Sequence, residues 1–156
     1  MKRFKVALIL VLVFAVTVWP QTAKPLSDND FVIAGISDET TPGRIQKVLG
    51  RPSSIHSYPH PFDPDARTIQ WRYGALSLIF SGEVLTGIYL NTAKHATSRG
   101  LRVGDSVDKL IHLYGKPNGA YETDWDYQDP GNEMHVIRVL VKRKRVVLIY
   151  LGWLTD

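Results

Sequence analysis

An internal repeat with an offset of 65 residues, Gly35 to Gly100, divides this chain into two similar parts. The first copy reads Gly35-Ile36, Thr41-Pro42, Ile45, then Val48-Leu49-Gly50-Arg51-Pro52. The second reads Gly100-Leu101, Ser106-Val107, Leu110, then Leu113-Tyr114-Gly115-Lys116-Pro117. A pattern that recurs in one chain is expected to build the same local unit twice. Thr41 and Ser106 are placed to cap a helix through a side-chain oxygen, and Pro42 suits the first helical position. Val107, Leu110, Ile111 and Tyr114 fall on one helical face, and Ile45, Val48 and Leu49 repeat that spacing. Gly50 and Gly115 can close each helix in the left-handed region, after which Pro52 and Pro117 prevent its continuation.

Strand signals follow each helix. Ile69, Trp71 and Tyr73 alternate with polar neighbours, as do Leu76, Leu78 and Phe80; Val84 to Leu90 continues after a turn at Ser81-Gly82. In the second copy, strands are expected over Tyr121 to Tyr127, Met134 to Val141 and Val146 to Leu151, with a turn at Asp129-Pro130-Gly131-Asn132. The expected fold class is therefore α+β. Two tandem repeats, residues 35–90 and 100–156, each carry a short helix followed by a three-stranded antiparallel sheet, with the helices on one sheet face. Residues 24–34 read as a polar tether and residues 91–99 as a connector. The second sheet face is expected to meet solvent or a partner.

The N-terminal pattern predicts export from the cytoplasm. Lys2, Arg3 and Lys5 precede an apolar run from Val6 to Trp19, and Pro20 ends it. This is the pattern of a secretory signal over residues 1–23, and the run is short for a bilayer span. Cleavage is expected after Ala23; retention as an uncleaved anchor is the alternative, and then this segment is the chain's one membrane contact. There are no cysteines, so neither disulfides nor a lipoprotein anchor are available. Loss of the leader lowers the 19 basic residues by three, to 16 against 15 acidic ones. A nucleic-acid partner is not expected from so even a balance. The basic run Lys142-Arg143-Lys144-Arg145, between two apolar stretches, reads as a solvated hairpin turn.

A glycine, a capped short helix, Leu-Gly-x-Pro or its counterpart, then W-x-Y and a hairpin together resemble the SmpA/OmlA domain of the BamE-like outer-membrane assembly lipoproteins. The tandem arrangement is similar to the β-lactamase inhibitory protein fold. The resemblance implies a protein-binding role without catalysis. The lipobox cysteine of the first group and the disulfides of the second are missing, so neither specific activity is carried over.

Trp71, Tyr73, Trp125 and Tyr127 occupy equivalent places in the two copies, with Tyr58 and Tyr121 ahead of them. Each Trp-x-Tyr pair shares one sheet face. On the helix side these six residues fill the core; on the other side they form an aromatic partner-binding groove, since Trp and Tyr dominate binding hot spots. The rival chemistry is metal-dependent hydrolysis around His56, His60, Asp63 and Asp65, which have suitable donor types on an expected loop. Asp124, Asp126 and Asp129 lack the spacing of a calcium loop. No nucleophile motif occurs, and His95, His112 and His135 are scattered. The functional expectation is an exported, non-catalytic protein-binding or envelope-assembly module, with no cofactor and no metal. Its partner would be another secreted, periplasmic or envelope protein.

Overall fold

A computed structural model of the chain describes residues 23–60 and 63–154. All but the last residue of the expected leader, 1–23, lies outside them. Two helices, α1 (Pro42–Leu49) and α2 (Val107–Tyr114), each precede four strands. After α1 come β1 (Ser54–His60), β2 (Asp63–Tyr73), β3 (Leu76–Ser81) and β4 (Val84–Leu90). After α2 come β5 (Gly119–Tyr121), β6 (Asp124–Asp129), β7 (Asn132–Lys142) and β8 (Arg145–Trp153). All eight strands form one antiparallel sheet in the order β1-β2-β3-β4-β8-β7-β6-β5.

This overturns the expected pair of helix-plus-three-strand repeats. Each helix is followed by four strands, and the two sets are joined edge to edge through β4 and β8 into one continuous sheet. The extra strands escaped the periodicity argument for physical reasons. β1 is an edge strand whose residues are nearly all exposed, so its sequence carries no apolar alternation. β5 is three residues long, too short to show a period.

The recurring local chemistry explains the helices. Ser106 Oγ accepts a hydrogen bond from Lys109 N at 3.2 Å and so caps α2. Thr41 makes no such bond; Pro42 opens α1 instead. Gly50 and Gly115 close the helices at φ 80° and 78°, a conformation only glycine adopts without cost. The basic run is indeed a two-residue turn between β7 and β8, with Arg143 and Lys144 at φ 48° and 59°.

One face of the sheet carries the core. Leu76, Leu78 and Phe80 of β3, Ile88 and Leu90 of β4, Ile137 and Val139 of β7, and Ile149 and Leu151 of β8 are buried together with Ile45 of α1 and with Leu110 and Tyr114 of α2. Full burial of each aliphatic side chain contributes roughly 1.5–3 kcal/mol.

Residues 24–34 are not a free tether. Leu26, Phe31 and Ile33 belong to the core, and Asp28–Phe31 forms a 3-10 turn. Buried Asp30 accepts two bonds from Arg99, from Nε at 2.7 Å and Nη2 at 2.8 Å, and one from Ser98 Oγ at 2.9 Å. The Arg99 guanidinium lies 4.8 Å from the centre of the Tyr114 ring, and Tyr114 Oη bonds to Thr97 Oγ1 at 2.7 Å. The N-terminal segment, the connector and α2 are thereby joined. Burial pushes Tyr114 up to about 12.

Candidate functional site

Strand register assigns every expected aromatic to a face. Trp71 pairs with Leu78 and Tyr73 with Leu76; Trp125 pairs with Val139 and Tyr127 with Ile137. Directly paired residues share a face, so these four aromatics point to the helix side. Tyr127 is fully buried, Trp71, Tyr73 and Trp125 are partly buried against the core, and Tyr127 Oη donates to Gly115 O at 3.1 Å. The aromatic groove expected from them on the open face is corrected accordingly: they anchor the helices. Their periodicity revealed that each pair shared one side; the helices determined which.

Tyr58 and Tyr121 lie elsewhere. Tyr58 pairs with Thr68 and Tyr121 with Asp124, which places both on the open face, 45% and 70% exposed. They sit toward opposite edges of the sheet, so they do not form one cluster.

The centre of the open face is built from residues that the sequence argument did not single out. Tyr89 of β4 pairs with Tyr150 of β8, and their rings lie 4.7 Å apart. Ile79 and Leu148 flank them along a groove of about 510 Å³ that also touches Gln70 and Arg72. Beside Tyr150, Arg138 donates to Asp126 twice, at 2.7 and 2.8 Å. That fork supports the Arg138 charge, while burial pushes Tyr89 and Tyr150 upward. The signal for this centre was the alternation itself. In β4 and β8, Tyr89 and Tyr150 fall on the phase opposite to Leu90 and Ile149.

The expected loop His56 to Asp65 is a hairpin. His56 and His60 lie on β1 and Asp63 and Asp65 on β2; Pro61 and Phe62 are outside the described residues. His56 stacks on Tyr58 with ring centres 6.3 Å apart, and Asp63 Oδ1 accepts a bond from Asp65 N at 3.0 Å. His60 and Asp63 are register partners across this hairpin, while His56 stands opposite Gln70, further along the pair. Among the described residues, no three histidine or acidic side chains are grouped as they would be around a metal ion.

A second constellation surrounds His135, at the start of β7. The imidazole is sandwiched between Phe31, with ring centres 3.5 Å apart, and Trp153 at 4.5 Å, and both contacts are nearly parallel. Asp129 Oδ2 stands 3.5 Å from Nδ1 and Asp38 Oδ2 stands 3.5 Å from Nε2. Asp38 also accepts the Trp153 indole N–H at 2.9 Å. These residues come from the stretch ahead of α1, the end of β6 and the last strand, so their meeting has no linear signature.

No helix among the described residues is long and apolar enough to cross a membrane. Compared with family models, curated proteins and solved structures, the chain has no match in any of the three.

Proposed function

We propose that this chain is an exported, non-catalytic protein-binding module that receives another extracytoplasmic protein on its open sheet face. Export rests on the leader pattern over residues 1–23. The observation that carries the binding reading is the composition of that face. Ile79, Tyr89, Leu148 and Tyr150 form an apolar and aromatic centre, while Arg72, Arg138, Asp126 and Asp124 flank it. Protein interfaces have this anatomy, a centre poor in charge and enriched in tyrosine within a polar rim. The buried residues of the two helices, Ile45, Leu110 and Tyr114, belong to the core on the opposite side. Tyr58 and Tyr121 extend the surface toward its two edges. A complementary partner presents an apolar patch with an acceptor or carboxylate opposite Arg72.

Site-directed photo-crosslinking in intact cells tests the reading. A crosslinker at Ile79 or Leu148 is expected to yield one discrete adduct, and Tyr89→Ala is expected to reduce it. A crosslinker at Gln46, on the exposed side of α1, serves as the control. Equal adducts from Gln46 and Ile79, or none from the open face, would overturn the proposal.

A further inference from the structure

The C-terminal end of α2 is closed by a residue from a distant part of the chain. The last four carbonyls of a helix have no partner within it. Here Ile111 O accepts from Gly115 N at 2.8 Å and Leu113 O from Arg99 Nη1 at 3.4 Å. The other two are taken by Lys24. Its Nζ donates to His112 O at 2.5 Å and its backbone N to Tyr114 O at 2.7 Å. Lys24 follows directly on Ala23, the last residue of the expected leader. The residues after it are held as well: Pro25 O accepts from Arg99 Nη2 at 2.6 Å, and Leu26 is buried.

The space beside Lys24 suits a further positive charge. A pocket of about 280 Å³ is lined by Ala23 and Lys24 together with Asp129 and Glu133, two carboxylates. As a peptide nitrogen, Lys24 N carries one hydrogen, which Tyr114 O accepts. As a free α-ammonium it carries three, so one keeps Tyr114 O and two are left for the carboxylates of the pocket. A cation is also favoured at the C-terminal end of a helix. The cations that oppose it, Lys24 Nζ and Arg99, are themselves bonded to carbonyls of α2, and Arg99 is paired with Asp30.

We propose that export processing cuts the Ala23–Lys24 bond and that the α-ammonium created there caps the C-terminal end of α2. A signal peptidase would hydrolyse the bond. Water adds its hydroxyl to the Ala23 carbonyl carbon, the C–N bond breaks, and the protons pass to Lys24 N; the products are an Ala23 carboxylate and a Lys24 ammonium. In the folded chain Ala23 packs against the core and Lys24 N is bonded. The cut therefore precedes folding, and the completed cap belongs to the processed chain. The inference rests on the export reading and is independent of what the open sheet face binds.

The full chain, expressed with its leader in an exporting host, provides the test. Intact mass and N-terminal sequencing of the exported protein are expected to give Lys24 as the first residue. An exported chain that keeps residues 1–23, or that starts elsewhere, would overturn the inference and leave export standing; an uncut chain confined to the cytoplasm would overturn both. A variant with one Ser inserted between Ala23 and Lys24 tests the cap, because its processed chain carries the ammonium one residue farther out while Lys24 keeps both bonds. At pH 6 its unfolding constant is expected to be about two- to fivefold larger than that of the native processed chain. The cap holds the amine above its unfolded value of about 7.7–8.0, so its stabilisation is complete below that value and is lost as pH rises through the folded one. The two chains should therefore unfold alike at pH 10. His112 and His135 are common to both and cancel in the comparison. Equal stability at pH 6, or a difference that persists at pH 10, would overturn the cap.

Discussion

Gly152 sits where β8 lies against β4, paired with Gly87. Its φ is 144°, and a Cβ there would stand 2.3 Å from Thr86 O and 2.8 Å from Gly87 Cα. Both obstacles are backbone, so neither can rotate away. Gly87 meets a different neighbour: its Cβ would fall 2.4 Å from Tyr150 Cε2. The Tyr150 ring thus lies over Gly87, its hydroxyl within reach of Thr86 O at 3.2 Å and Trp153 O at 2.5 Å. Gly152→Ala is expected to lower stability by about 3 kcal/mol through overpacking and backbone strain. Gly43, inside α1 with nothing within 4 Å of its Cβ position, should respond in the opposite sense. Gly43→Ala is expected to stabilise by about 0.5–1 kcal/mol. Urea unfolding of the two variants checks both signs. The sequence contains both glycines but does not show that they face one another.

At the scale of the element, the N-terminal segment illustrates how a polar stretch becomes structural. Lys24 to Asp30 is mostly polar and reads as a tether. Yet Leu26 and Phe31 fill the core and Asp30 is clamped by Arg99. Burial of Asp30 raises its pKa, but the Arg99 hydrogen bonds, the Ser27 backbone N–H, Ser98 and the Arg99 charge together hold it below its usual 3.8. A carboxyl depressed on folding contributes stability above its unfolded value and loses it as pH falls through the folded value. The clamp should therefore be intact at neutral pH and weaken as pH falls from about 4. Asp30→Asn is expected to cost about 3 kcal/mol at pH 7, because Arg99 is left without its counter-ion. It should also lose less stability than the native chain over the acid range. Thermal melts from pH 7 to pH 2.5 provide the comparison, and parallel pH curves would contradict the assignment. The helices were more legible than this segment. Their apolar spacing, capping Ser106 and closing glycines are local features; partners 68 and 69 residues away, Ser98 and Arg99, are not.

For the whole molecule, the decisive contact is the β4–β8 seam. It makes one sheet from two sets of strands, with the core residues of both halves in one cluster. The repeat therefore does not imply two independent folding units. A single cooperative transition by circular dichroism and tryptophan fluorescence is expected, as for one small domain. Separate polypeptides spanning residues 23–96 and 97–156 are each expected to remain unfolded alone, since each exposes half of the shared core and an edge strand. Two resolved transitions in the intact chain, or a folded isolated half, would contradict this.

The sequence by itself determined the repeat, the two short helices, most strand positions and the pairing of each Trp-x-Tyr onto one side, because these follow from capping chemistry and the 3.6- and 2-residue periods. Only the tertiary structure decided that eight strands make one sheet, that the Trp-x-Tyr residues face the helices, and that His135 meets Asp38, Asp129, Phe31 and Trp153. Periodicity identifies which residues share a face, but what covers that face depends on contacts between segments far apart in the chain. Tyr89 and Tyr150 are half-buried on the open side for that reason, and His135 gains its neighbours from three separate stretches of chain.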